Sequence, residues 1–294
     1  METIDVLLPY YGDVGFLKAA AQSVLDQDYP DWRLVVLDDA YPDDEPARWF
    51  AALADPRVTY IQNPANLGAS GNYRKALALA EAPIVVMMGA DDLMLPSYLS
   101  AVATALTAHP DTSVVQPGVV VIDEYGARSR TITDMVKRLA SPRPRPELTI
   151  GGEDMAASLL HAGWHYFPSL AWRTEEMQRF GFRPGYDVVQ DLALLLDIAA
   201  AGGSMLLISD PVFQYRRHSS SDSSVRAVDG RRFAEERRFF REEAARFREL
   251  GWKKAALAAD LHWTSRLHAL LVLLRSVRRP TVQGTVVLGR HVLT

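Results

Sequence analysis

IVVMMGADDLMLP, residues 84–96, decides the reading of the fold. Ile84–Met88 is a short unbroken apolar run, the pattern of a strand buried on both faces. It breaks into the polar turn Gly89-Ala90-Asp91-Asp92, and a helical pattern follows from Pro96, a residue tolerated in a first helical turn. The same strand, turn and helix order recurs toward the N-terminus. Ile4–Leu8 is apolar and stops at Pro9, and Leu34–Leu37 ends in Asp38-Asp39. Val58–Ile61 runs into Asn63-Pro64 and the turn Asn66–Gly68. Between these strands, Phe16, Ala19, Ala20, Val24 and Leu25 recur at helical spacing until Tyr29-Pro30. Asp43, Asp44 and Glu45 stand where acidic residues favour the start of a helix, and Ala69 to Ala80 is helical.

Strands alternating with helices predict an α/β chain with a mostly parallel, Rossmann-like sheet covered on both faces. Ligands bind such sheets beyond the carboxyl ends of the strands. Polar residues gather at those ends: Tyr10 and Tyr11 after the first strand, Asp39 after the second, Asn66 after the third, Asp91 after the fourth. Any one of these aspartates serves equally well as a turn or cap residue; their convergence is what points to a site.

The second half is less regular. Val114–Gln116, Val119–Ile122, Met205–Ile208 and Val212–Tyr215 read as short strands, and the aromatic stretch Trp164 to Trp172 as strand-like. Ser141–Glu147 alternates proline and arginine and reads as an extended, mobile loop. Val188–Ala201 is a helix carrying Asp191. Arg216-Arg217-His218 leads into a serine-rich turn, and two long helical patterns follow, Gly230–Leu250 and Lys253–Val277. The expected organisation is an α/β unit over 1–225, with halves at 1–110 and 111–225, and a helical extension over 226–294.

Composition narrows the chemistry. There is no cysteine, which excludes disulfides, thiolate zinc sites and cysteine nucleophiles. METIDVLLPYYG has no basic stretch ahead of a long apolar run, so no secretory leader is expected. Leu267 to Leu274 is far shorter than the roughly 20 residues of a spanning helix. A cytoplasmic protein is expected, with contact at the inner membrane face as an added option. The net charge of −4 divides into −12 over residues 1–225 and +8 from Arg226 onward. The acidic body suits cations and argues against nucleic acid. No phosphate-loop, dinucleotide, nucleophile-elbow or H-E-x-x-H motif is present. What remains is a set of carboxylates at strand ends with one distant histidine, a donor set for Mg²⁺ or Mn²⁺. Such an ion stabilises a departing diphosphate, and a separate carboxylate can then deprotonate an incoming hydroxyl.

Six segments in order resemble family 2 glycosyltransferases of the GT-A fold. They are VLLPYYG (6–12), LVVLDDAYPDD (34–44), NPANLGASGN (63–72), VVMMGADDLMLP (85–96), FGFRP (180–184) with VVQDLALLLDIAAAG (188–202), and FQYRRHSSSDS (213–223). The resemblance implies transfer of a sugar, with inversion, from a nucleotide-diphosphate sugar to an acceptor hydroxyl, a UDP sugar being the favoured donor. It implies a nucleotide site at Pro9, Tyr10, Tyr11, Asp39, Asn66, Gly68, Ser70, Ala90 and Asp91, with Asp38 ranked lower. It implies a divalent cation held by Asp91, with Asp92 and His218, phosphate contacts from Arg216 or Arg217, and Asp191 as the general base. Two departures stand out: Gly89 where the family often has aspartate, and Gln190 where it often has glutamate before the base. The first removes a charge from the cation site, and the second should leave Asp191 less basic.

Trp164, His165 and Tyr166 are candidates to stack on a saccharide or lipid-linked acceptor, or equally to be core. His161 and His165 have the i, i+4 spacing of a metal pair but lack a third ligand in sequence. Trp263, Leu267, Leu270, Leu271 and Leu274 form an apolar stripe beside Arg266, Arg275, Arg278 and Arg279. That stripe packs on the body, forms a homodimer interface or rests on a membrane. A sugar nucleotidyltransferase would need a basic loop after the first strand, and PYYGDVG has no lysine or arginine. A non-catalytic sugar- or nucleotide-binding protein of the same fold is the other alternative.

Overall fold

The computed structural model describes residues 2–129, 131–218 and 231–276. The first half alternates as expected: β1 (Ile4–Tyr10), α1 (Val14–Leu25), β2 (Trp32–Asp38), α2 (Glu45–Leu53), β3 (Val58–Gln62), α3 (Ala69–Leu77), β4 (Ile84–Met87), β5 (Leu93–Met94) and α4 (Tyr98–Ala108). The second half contains β6 (Val114–Ile122), α5 (Ile132–Ala140), β7 (Glu147–Gly151), α6 (Gly152–Ala162), a 3-10 turn (Phe167–Ser169), β8 (Ala171–Arg173), α7 (Thr174–Phe180), α8 (Gln190–Ala200) and β9 (Ser204–Arg216). Three helices follow: α9 (Arg231–Glu249), α10 (Lys253–Leu261) and α11 (Trp263–Ser276).

The sheet runs β3-β2-β1-β4-β8-β6-β9-β5, with β7 added on β9. The first four strands are wholly parallel, β1 pairing with both β2 and β4. Beyond β4 the sheet is mixed: β8 is antiparallel to β4 and β6, whereas β6 and β9 are parallel. Alternation along the strands builds a core on each face. Leu7, Val35, Leu37, Val85 and Met87 face one cluster, and Val6, Leu8, Leu34, Val36 and Val86 face the other.

Several local expectations change. The two short strands read in each of β6 and β9 are continuous, joined across an irregularity in their pairing at Gly118. A side chain at Gly118 would stand 2.7 Å from Ser209 O, so the two backbones can approach there only through glycine. Only the end of Trp164 to Trp172 is strand; Trp164, His165 and Tyr166 lead irregularly into the 3-10 turn Phe167–Ser169, which holds Pro168. The proline-arginine loop ends at Glu147, where the chain joins the sheet as β7. The last helical pattern breaks at His262, whose φ of 22° cannot continue a helix.

The helical extension packs on the body and continues its core. Phe239, Phe240, Phe247, Ala255 and Ala259 share one cluster with Met155, Leu159 and Leu160 of α6. Arg183 locks this junction: its guanidinium donates to Asp197 at 2.7 and 2.5 Å and to Glu243 at 2.5 Å. Burial works against the charge, but the two carboxylates outweigh it and raise the Arg183 pKa. Leu271, Leu274 and Arg275 have no described side chains, and Arg278 and Arg279 lie outside the described residues. Among the described residues no helix is long and apolar enough to cross a membrane. Arg183→Met should lower stability by roughly 3 kcal/mol, because it leaves the buried Glu243 carboxylate without one of its two arginines. Urea denaturation of the two proteins measures this; equal midpoints would assign the junction to apolar packing alone.

Candidate active site

A cleft of about 1070 Å³ opens across the carboxyl ends of β1, β2 and β4 and extends beneath the C-terminal helices. At its sheet end it is lined by Pro9, Tyr10, Tyr11, Asp39, Asn66 and Gly68. Tyr10 is buried and donates to Gly12 O at 2.8 Å, which fixes the turn after β1. Tyr11 is 59% exposed, so its ring is open to a stacking partner. Asp39 is buried and accepts from Asn63 Nδ2 and from Leu67 N, both at 2.8 Å. It therefore ties the β2 end to the loop before α3. Asn66 closes that loop by accepting from Gly68 N at 2.9 Å, and Gly68 takes a φ of 72°. Asp38 is engaged in the fold, accepting from Tyr41 N at 2.7 Å and from the Tyr60 hydroxyl. Ser70 is buried and lies outside the cleft lining.

Ala90, Asp91, Asp92 and His218 meet in the middle of the cleft. His218 Nε2 lies 2.7 Å from Asp91 Oδ2, although 127 residues separate them. Arg216 makes this possible. Its backbone N donates to Asp92 Oδ1 and its Nε to Asp91 O, both at 2.7 Å, and its Nη1 donates to Asp123 O and Glu124 O at 3.2 Å. Arg216 is buried and does not line the cleft, so it braces the site and, of the two arginines, Arg217 is the one at the cleft. Arg217 does line the cleft, with its guanidinium on Asp134 at 2.5 and 2.9 Å.

Gly89 shapes the pair of aspartates. A Cβ there would stand 2.6 Å from Asp92 Oδ2 and 2.8 Å from Asp91 Oδ1. Asp92 folds into that space, and its Oδ2 is buried without a hydrogen-bond partner among the described residues. Burial, with Asp91 alongside, pushes the Asp92 carboxyl well above the usual carboxylate range despite the bond from Arg216 N. Asp92 therefore ranks below Asp91 as a cation ligand, its Oδ1 already accepting from Arg216 N and its Oδ2 buried. Among the described residues no three acidic or histidine side chains converge as a complete cation cage. Asp91 and His218 still suit Mg²⁺ or Mn²⁺, which bind through one or two protein ligands with phosphate oxygens and water completing the shell.

Asp191 stands in the first turn of α8, 26% exposed, and lines the cleft beyond the aspartate pair. Its Oδ1 accepts from Leu192 N at 2.8 Å and its Oδ2 lies 3.1 Å from His165 Nε2. Burial would raise its pKa, but His165, the Leu192 amide and Lys137 together hold it below the usual value, so it is ionised at neutral pH. His165 thus contacts Asp191 while the His161 ring packs on Trp263, their centroids 5.3 Å apart, so the two histidines serve separate contacts. Tyr166 lines the cleft, whereas Trp164 is core, 1% exposed, its Nε1 donating to Ser158 Oγ at 3.1 Å. Of the two readings left open for Trp164, the structure gives the core one.

Sequence reading missed the far wall. Lys137, Arg232, Glu236, Phe240, Thr264, Ser265 and Leu267 all line the cleft, the last six from the extension. Glu235 of α9 accepts from the backbone N of Asp187, Val188 and Val189 at 2.9, 2.6 and 3.1 Å, holding the segment that leads into Asp191. The signal available for α5 was Thr131 three residues ahead of Asp134, an N-cap pattern whose Oγ1 does accept from Asp134 N.

Two outcomes follow from this geometry. Gly89→Ala should displace both carboxylates, costing roughly 1–3 kcal/mol of stability and reducing any cation-dependent thermal shift with nucleotide. An unchanged melting profile and shift would mean that the turn relaxes without cost. The hydrogen bond to Asp91 raises the His218 pKa above its ordinary 6.5. In cation-free protein the stabilisation from this pair is complete below pH 6.5 and fades as pH rises through the shifted value. His218→Gln should remove that alkaline decline from a stability-against-pH curve; an identical decline in the variant would assign it to other groups.

Residues 5–164 match the family described as Glycosyl transferase family 2. EpsE of Bacillus subtilis (strain 168) is 30% identical over 135 residues, 45% of this chain and 49% of that protein. The chain spans about half or less of the length of the first curated relatives it matches. Among solved structures, S. aureus TarS 1-349 in complex with UDP-GlcNAc superposes with a TM-score of 0.71 at 16% identity, covering 98% of this chain and 80% of that one. The mannosyltransferase PcManGT from Pyrobaculum calidifontis, in complex with GDP-Man and Mn²⁺, superposes at 0.59 with 19% identity, covering 98% and 79%. At such identities these two likenesses establish the fold, while the family match covers more than half of the chain. With the strand-end cleft and its ordered motifs, they make this chain a glycosyltransferase of family 2 with a GT-A fold.

Proposed function

We propose that this glycosyltransferase moves a sugar from a nucleoside-diphosphate sugar to a hydroxyl of a saccharide or lipid-linked saccharide, with inversion and with Asp191 as general base. The observation that carries this reading is one cleft lined at one end by Tyr11 and Asp39, in the middle by Asp91 and His218, and further on by an ionised carboxylate, Asp191. TarS and PcManGT, whose folds it shares, are described as bound to UDP-GlcNAc and to GDP-Man with Mn²⁺, which supports a nucleotide-sugar donor and a divalent cation here.

In this reading Tyr11 stacks on the donor base and Asp39 accepts from the base or ribose. Asp91 and His218 would hold the Mg²⁺ or Mn²⁺, which would supply positive charge to the leaving diphosphate. Asp191 accepts the proton of the acceptor hydroxyl as its oxygen attacks the anomeric carbon from the face opposite the diphosphate. The C–O bond to the diphosphate breaks in the same step, so configuration inverts. His165 fixes the rotamer of the base, and the Leu192 amide keeps one of its oxygens oriented.

Asp191→Asn keeps the shape but cannot accept the proton. Turnover should fall by about a thousandfold, while the thermal shift with UDP and Mn²⁺ stays at the wild-type value. Turnover is read as nucleotide release from UDP-glucose or GDP-mannose with saccharide acceptors. A variant as active as wild type would remove Asp191 from the chemistry.

A further inference from the structure

Lys137 is the one cleft-lining cation of α5, and its surroundings hold more than its effect on the Asp191 carboxylate. Its Nζ donates to His165 O at 2.9 Å and lies 4.6 Å from the centre of the Tyr166 ring. Two further cations approach the same part of the cleft. Arg217 is matched by Asp134 and Arg232 by Glu236, each within ion-pair distance. Among the described residues Lys137 has no such carboxylate partner, and its ammonium rests on a carbonyl and a ring face. Burial, with Arg217 and Arg232 alongside and only partly opposed by Asp191 and Asp134, pulls its pKa down to about 8.

We propose that Lys137, flanked by Arg217 and Arg232, forms an anion subsite that binds a phosphate group carried by the acceptor. This rests on the donor and base assignments above and names the acceptor class for the same cleft. The position of Lys137 decides the side. Of the carboxylates, Asp191 and Asp134 act most strongly on it. Through His165 it is two contacts from the base carboxylate. An anion here therefore sits beside the hydroxyl to be deprotonated, not on the leaving diphosphate. Val136, Leu160, Phe240 and Leu267 give the same cleft apolar lining, and charge-assisted hydrogen bonds strengthen where water is excluded.

Isothermal titration of the full chain, with UDP and Mg²⁺ saturating, tests this using inorganic phosphate and glucose 1-phosphate as probes. Wild type should bind glucose 1-phosphate more tightly than inorganic phosphate. Lys137→Met should weaken both by about tenfold or more, the scale of one charge-assisted hydrogen bond, with UDP binding unchanged. Lys137→Arg should retain the binding, which separates loss of charge from loss of structure. Equal affinities of Lys137→Met and wild type would overturn the proposal, as would absence of phosphate binding in wild type. Displacement of phosphate by UDP would assign the cations to the donor, and equal affinity for the two probes would limit the site to free phosphate; either result overturns the acceptor assignment. Failure of UDP to bind at all would strike the donor reading instead, and the phosphate titration repeated without UDP would still score Lys137.

Discussion

Arg216 braces segments that the sheet brings side by side at the cleft. One residue bonds to Asp92 through its backbone, to Asp91 through its Nε, and to the carbonyls of Asp123 and Glu124 through Nη1. Those partners belong to the turn after β4 and to the end of β6. By stitching them to the end of β9, Arg216 leaves the next two side chains, Arg217 and His218, directed at the cleft. The 2.7 Å contact between His218 and Asp91 depends on that stitch. Burial of the guanidinium is tolerable because three carbonyl oxygens accept from it, and a buried charge without such acceptors would be costly.

The C-terminal helices depend on the same logic of remote bracing. Their apolar faces continue the core formed by α6 and α8, and the Arg183, Asp197, Glu243 and Arg246 network fixes their orientation. With that orientation set, Glu235 reaches the three backbone amides ahead of α8 and supplies a negative charge at a helix start. The turn that presents Asp191 is thus held by a residue 44 positions later in the chain. A division of the chain near 225 describes the sequence pattern, but the cleft is built from both sides of it.

Legibility in the sequence followed the range of the interactions. The four parallel strands and their helices were readable because each is encoded by its own apolar periodicity, and the strand-end positions of Tyr11, Asp39, Asn66 and Asp91 came with them. Asp191 and His218 were readable only through resemblance of motifs. The continuous β6 and β9 were read as fragments because Gly118 and Pro211 punctuate them, and their pairing across the sheet is a long-range fact. Trp164 looked like a sugar platform because its neighbours His165 and Tyr166 do face the cleft, and a stretch that turns at Phe167–Ser169 gives no period from which to sort the faces. Lys137 and Glu235 gave no signal: a lysine or glutamate on a helix reads as a solvated face until its neighbours are known.

Gly89 shows how a departure in one residue propagates through charge. An aspartate at that position could not coexist with the present rotamers, since even its Cβ would collide with both neighbouring carboxylates. Without it, Asp92 turns inward, accepts from Arg216 N and is pushed toward its neutral form. Asp91 is engaged with His218 instead. A cation meeting one carboxylate and one imidazole is held weakly by the protein alone, because hard cations take most of their binding energy from anionic oxygens. In the proposed reaction those oxygens come from the donor diphosphate. Cation and nucleotide should therefore bind together more tightly than either does alone, a coupling that follows from the small number of charges at Gly89-Ala90-Asp91-Asp92.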